Sequence, residues 1–199
     1  MNFSEKLTRD FYNRPTIEVA RDLLGRILVR KFGGSYLTGR IVETEAYLGA
    51  DDKASHAARG RTPRADVMFG PPGHAYVYFI YGMYNCLNFV TEPEGIPAAV
   101  LIRAVEPLSG IEQMKKLRGA KQLHQLTSGP GKLCQAFAID RTLNRADLTG
   151  DALFVSVGEP VPRRDVVATP RIGVTAAKDL LRRFHLKGSP FVSGPSKLP

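Results

Sequence analysis

The chain has 199 residues, 43% of them apolar, enough for one sizeable core and one domain over residues 1–199. No stretch is apolar enough to span a membrane, and the opening Met1-Asn2-Phe3-Ser4-Glu5-Lys6 is too polar for a secretory signal, so a cytoplasmic location is expected. A net charge of +9 and a pI near 9.8 point to a polyanionic partner, most often nucleic acid, although a basic surface without a ligand would carry the same charge. The cysteines, Cys86 and Cys134, sit in apolar runs and suit buried free thiols in a reducing compartment. The four histidines are scattered, which argues against a metal site.

Pro15 to Gly25 reads as a short helix, with Val19, Ala20, Leu23 and Leu24 at helical spacing and Gly25 as a stop. Arg26 to Phe32 and Tyr36 to Leu48 follow as strands joined at Gly33-Gly34. Within the second, strict alternation puts Val42, Thr44, Ala46 and Leu48 on one face and Ile41, Glu43, Glu45 and Tyr47 on the other. Two carboxylates beside an aromatic ring make that second face a candidate site.

Residues 50 to 72 turn polar and rich in Gly, Pro and Arg, with a brief helical possibility around Asp51 to Ala58. Such a long insertion suggests a functional loop. Arg59, Arg61 and Arg64 could meet phosphates or simply be solvated, and His56 by itself is ambiguous, with a surface histidine as the default reading.

His74 to Tyr81 and Asn85 to Thr91 form a second hairpin around Gly82. Tyr76, Tyr78, Tyr81 and Tyr84 crowd into it, in a chain with seven tyrosines. A tip carrying Tyr81, Met83 and Tyr84 is shaped to push a ring between base pairs. The expected loop is Gly82-Met83-Tyr84, which would pair Tyr78 with Asn88 on one face.

Ala98 to Val105 reads as a further strand, interrupted by Arg103, whose natural partner if buried is Glu43 or Glu45. Ser109 is placed to cap an amphipathic helix to Arg118, with Ile111, Met114 and Leu117 on its inner face. Pro130 to Ile139 reads as a helix entered through Ser128-Gly129. Leu153 to Val157 reads as a strand, and Thr175 to Phe184 as a helix. The turns Ser128-Gly129-Pro130-Gly131-Lys132 and Ser193-Gly194-Pro195-Ser196-Lys197 echo one another. Each could offer N–H groups and a lysine to a phosphate, but plain turns are the simpler reading.

Residues two apart on a strand lie roughly 7 Å from one another. Carboxylates at that separation can flank a glycosidic bond and a water. With stacking tyrosines and a basic surface, the bond indicated is the one between a nucleobase and its sugar. Breaking it requires the base to leave the helix.

The motifs Arg40-Ile41-Val42-Glu43-Thr44-Glu45-Ala46-Tyr47, Tyr76-Val77-Tyr78-Phe79-Ile80-Tyr81-Gly82-Met83-Tyr84, Leu101-Ile102-Arg103-Ala104 and Ser128-Gly129-Pro130-Gly131-Lys132-Leu133-Cys134-Gln135 together resemble the alkyladenine (3-methyladenine) DNA glycosylases of the mammalian type, which also occur in bacteria. The resemblance runs from Arg14-Pro15 to Gly188-Ser189-Pro190. It implies an α+β fold, a single domain with a curved antiparallel sheet and surrounding helices, similar to the C-terminal domain of methionyl-tRNA formyltransferases. It implies no metal and no cofactor. Its partner would be duplex DNA containing damaged purines, met by a monomer at the nucleoid. By position, Glu45 matches the base that activates water and Arg103 the arginine that helps hold it. Tyr47, His56 and Tyr78 match the walls around a flipped base, and Asn88 the asparagine that selects against guanine. Tyr81 matches the inserted ring, with Met83, Tyr84 and Lys132 as further DNA contacts. Glu43 is left a structural residue. The linker between Arg118 and Thr127 is shorter than in mammalian members, and the loop from Gly60 to Asp66 differs in detail. A non-catalytic DNA- or RNA-binding module of the same fold is the alternative.

Overall fold

The computed structural model describes residues 5–194. A thirteen-residue strand, β2 (Ser35–Tyr47), runs through the middle of an eight-stranded antiparallel sheet. Its two edges are shared among three other strands. β1 (Ile27–Phe32) pairs with its first half, β5 (Ala99–Ser109) runs along its other edge, and β8 (Arg183–Leu186) takes Glu43 to Glu45. The hairpin of β3 (Ala75–Ile80) and β4 (Tyr84–Val90) extends the sheet beyond β5. β6 (Leu153–Ser156) extends it beyond β1, and β7 (Val166–Thr169) flanks β8. The helices are short: α1 (Arg9–Tyr12), α2 (Thr16–Asp22), α3 (Ile111–Arg118) and α4 (Pro130–Ala136). The fold is α+β, as expected. No helix among the described residues is long and apolar enough to cross a membrane.

Local chemistry explains most of these elements. Gly33 and Gly34 both hold positive φ, at 56° and 79°, so β1 and β2 close through the two-residue turn that matches strand twist. Pro15 stands at the N-cap of α2, which buries Val19 and Ala20 in the main core with Leu23, Phe89, Phe137 and Phe184. The loop from 50 to 72 is a packed one. It folds into two 3₁₀ turns, His56–Arg59 and Asp66–Phe69, over a second cluster that includes Ala57, Val67, Met68 and Tyr76.

Four expectations are corrected. The alternation of β2 breaks at a bulge, where the register against β5 shifts on both sides of Glu43. Ile41 therefore joins the main core, while Val42 turns to a small cluster with Ala104 and Phe191. A bulge adds one residue to a strand and reverses its facing. The hairpin loop is Tyr81-Gly82-Met83, one residue earlier than expected, so Tyr78 opposes Cys86 and Asn88 opposes Tyr76. Tyr78 and Asn88 still share a face, because the spacing between them along the sheet is even. Ser109 stays in β5, sharing a hydrogen bond of 2.8 Å with Thr38, and Gly110 starts α3 instead with φ 75°. A side chain at 110 would meet Leu37 at 2.5 Å.

The helix expected over Thr175 to Phe184 is absent. Turns occupy the first part, with Ala177 at φ 49°, and β8 begins at Arg183. Leu180 and Leu181, which would have formed its apolar face, are exposed. Pairing with β2 overrides the local helical pattern, because ladder bonds and the buried Arg183 are available only in the strand. β7, which pairs only with β8, was not foreseen in the sequence. Of the second Gly-Pro turn, Ser193 and Gly194 are described and 195–199 lie outside the described residues.

Candidate active site

The bulge gives Glu43 and Glu45 different surroundings. Glu43 is fully buried and saturated: Oε1 accepts from Arg103 Nε (3.0 Å), Arg183 Nε (2.6 Å) and the Ser193 hydroxyl (2.9 Å), while Oε2 accepts from the Ser193 amide. An ionised carboxylate offers about four acceptor positions, and four donors converge on Glu43, three of them on Oε1, so it is committed to holding these segments together. Glu45 is held more sparingly. The Tyr47 hydroxyl donates to Oε2 at 2.8 Å, the Ile172 amide donates to Oε1 at 2.8 Å, and Arg103 Nη1 lies 3.2 Å from Oε1. Arg103 thus bridges both glutamates, which answers the question of its partner.

Glu45 has no exposed surface, yet Tyr47, Arg103 and Ile172, the three residues holding it, all line a cleft of about 460 Å³. Tyr78, Tyr81, Tyr84 and Lys132 line the same cleft. A narrower cavity of about 140 Å³ adjoins it and gathers Tyr47, His56, Tyr78 and Asn88. Tyr47 and Tyr78 belong to both. The four residues expected to enclose a base are therefore brought together, from three separate parts of the chain. His56 meets the Tyr78 ring edge-on, with centroids 4.6 Å apart, and shares a hydrogen bond of 2.8 Å with the Tyr76 hydroxyl. Asn88 Nδ2 donates to the Tyr76 carbonyl at 3.1 Å.

Electrostatics follow from this burial. Burial raises the Tyr47 hydroxyl far above its ordinary pKa, and the adjacent Glu45 charge raises it further, so it stays a neutral donor. Burial works against the Arg103 guanidinium, but Glu45 and Glu43 outweigh it and hold the cation firmly. Burial, reinforced by Arg64, lowers His56 and keeps the imidazole neutral at pH 7. Burial also raises the Tyr78 hydroxyl, with Cys86 adding to the effect.

The hairpin tip stands out from this floor. Tyr81 is 78% exposed, with Met83 and Tyr84 beside it. Tyr81 takes φ 54°, a region that bulky residues adopt at a cost, and so projects its ring from the turn. Gly131 lies against Tyr84 so closely that an added Cβ would fall 2.8 Å from the ring. The Ser128-Gly129-Pro130-Gly131 turn therefore seats the hairpin against α4. Lys132 is exposed at the cleft edge.

Several functional residues escaped the sequence reading. Arg171, Ile172, Arg183 and Asp52 all reach the site or its support, and Ser193, read as part of a phosphate-binding or plain turn, gives its amide and hydroxyl to Glu43. Arg171 and Arg183 are buried cations, but their partners lie 119 and 140 residues away and nothing local names them. Among the described residues no group of three or more His, Cys, Asp or Glu is disposed to hold a metal ion.

The chain matches the methylpurine-DNA glycosylase family model over residues 10–190. Relatives each named "Putative 3-methyladenine DNA glycosylase" include one from Methanocella arvoryzae, 59% identical over 94% of this chain and 95% of its own length. Others come from Carboxydothermus hydrogenoformans, 55% identical over 94% and 98%, and Prosthecochloris aestuarii, 49% identical over 98% and 94%. With a site of this composition and similarity along nearly its whole length, the chain belongs to the methylpurine-DNA glycosylase family.

Proposed function

We propose that the chain acts as one DNA glycosylase domain that removes alkylated or deaminated purines from duplex DNA, the 3-methyladenine, 7-methylguanine, hypoxanthine and ethenoadenine class. The observation carrying this reading is the contrast between the glutamates: Glu43 saturated, and Glu45 held by three residues that line a cleft. Family membership supports it. The acting unit in this reading is a monomer.

In this reading Tyr81 enters the stack where the base was, with Met83, Tyr84 and Lys132 against the DNA backbone and groove. Tyr47, His56 and Tyr78 enclose the flipped base. Asn88, pinned to the Tyr76 carbonyl, crowds a guanine amino group. Glu45 takes a proton from a water held by Arg103, and the water oxygen bonds to C1′ of the sugar. The C1′–N bond breaks, and its electron pair leaves on the base nitrogen. An N3- or N7-alkylated purine already carries positive charge and leaves as a neutral molecule, whereas hypoxanthine or ethenoadenine leaves as the anion and takes a proton from solvent water. Lys132 stands exposed at the cleft edge and is read as a DNA contact and not as a Schiff-base nucleophile, so the expected product is an intact abasic strand.

The test is single-turnover base release from methylated duplex DNA by the parent chain and by Glu45→Gln. The variant is expected to bind the DNA and lose excision about 10²- to 10⁴-fold, the usual share of a general base. Excision near the parental rate would assign the base to another residue. No release of any damaged purine by the parent would favour a non-catalytic DNA- or RNA-binding module.

A further inference from the structure

Behind Tyr47 lies an ion pair with no exposed side-chain surface on either partner, Asp52 and Arg171. Arg171 Nη1 and Nη2 donate to the two carboxylate oxygens at 2.6 and 2.8 Å, and Nη1 also donates to the Ala46 carbonyl at 3.0 Å. The guanidinium carbon sits 4.7 Å from the centroid of the Tyr47 ring. Asp52 in turn accepts from the Leu48 and Ala54 amides, at 3.1 and 3.2 Å, and lies 3.1 Å from Arg182.

These contacts join the three segments that build the site. Ala46 and Leu48 bracket Tyr47 at the end of β2, and Ala54 is two residues before His56. Arg171 precedes Ile172, whose amide holds Glu45 Oε1. A buried pair contributes little net stability, because desolvation of two charges offsets their attraction. Arg171 Nε is also buried without a hydrogen-bond partner among the described residues, a cost that a purely stabilising pair would not carry.

We propose that Asp52 and Arg171 are positioning residues for base excision: Arg171 backs the Tyr47 ring and fixes the Ile172 amide on Glu45, and Asp52 holds the guanidinium in place. Neither touches the substrate. The inference rests on the reading of Glu45 as the base. Lysine cannot reproduce a two-point, ring-backing contact, so Arg171→Lys isolates the geometry while keeping the charge.

Two quantities are measured on each chain: the single-turnover rate on duplex DNA containing 3-methyladenine, and the Kd for a duplex with an abasic-site analogue. Arg171→Lys is expected to lose about 10- to 100-fold in rate, on the order of the loss from misplacing a reacting group by about 1 Å, with Kd unchanged. In Arg171→Ala, millimolar methylguanidinium is expected to restore rate beyond a sodium chloride control of equal ionic strength. A parental rate in Arg171→Lys overturns the proposal, as does a loss shared equally by Kd or an absence of rescue. If the parent chain releases no base, the glycosylase reading itself fails. If the parent is active and the Lys variant equally so, only the positioning role does.

Discussion

Replacing Glu43 by glutamine should damage the fold and not the chemical step, the reverse of the effect of Glu45→Gln. Glu43 Oε1 accepts from two guanidinium groups and a hydroxyl, and Oε2 from the Ser193 amide. A glutamine amide nitrogen placed at Oε2 would face the Ser193 N–H; placed at Oε1 it would face Arg103 and Arg183. Either orientation sets donor against donor, with no solvent to relieve it, because Glu43 has no exposed surface. Removing one member of a buried ion pair costs about 3–5 kcal/mol. For a chain of this size 1 kcal/mol moves Tm by about 2–4 °C, so a drop on the order of 6–20 °C is expected. Arg103 keeps Glu45 as a partner at 3.2 Å, so the folded fraction should still excise. Circular-dichroism melting and single-turnover base release, both below the variant's Tm, separate the two effects. A Glu43→Gln chain that melts with the parent yet loses excision as Glu45→Gln does would refute this division of roles.

Tyr81→Gly should leave Tm unchanged or raise it, since relief of the φ 54° conformation recovers on the order of 1 kcal/mol, while excision falls about tenfold or more for want of the inserted ring; a lowered Tm with full excision would contradict both parts. Lys132→Gln should weaken binding to all duplexes alike and reduce the slope of log K against log salt by about 1, as measured by fluorescence anisotropy across a salt series. Burial lowers His56, with Arg64 adding to the effect; burial also lowers His185, with Arg183 adding and the Leu186 carbonyl and Glu43 opposing. The unfolded chain therefore takes up these protons first, and stability present above pH 6.5 is lost as pH falls through the lower folded values. Melting between pH 7.5 and 5.5 should show a falling Tm, flattened in His56→Gln, and a flat parental profile would count against buried neutral imidazoles.

Features that depend on near neighbours are legible in the chain alone. Gly33-Gly34 in one turn, Gly82 in the other and apolar residues on the flanking strands marked the two hairpins, since turn geometry and strand facing are set within a few residues. A lone arginine inside an apolar strand demanded a buried acidic partner, and Arg103 has two. Motif resemblance named Tyr47, His56, Tyr78 and Asn88, and they do share a cavity. Features that depend on distant parts of the chain emerge with the fold. Strict alternation could not reveal the bulge at Glu43, because β2 carries an extra residue on one side of it and β5 on the other, which only the paired strands show. The stretch over Thr175 to Phe184 carries a helical pattern, and it became turns and a strand because β2 offered it an edge and Glu43 offered Arg183 a charge. The different surroundings of the two glutamates arise the same way. Ser193, 150 residues from Glu43 along the chain, occupies the carboxylate that spacing alone had made an equal candidate. Local pattern can place a carboxylate on a strand, but the donors that saturate it or leave it free arrive from elsewhere in the fold.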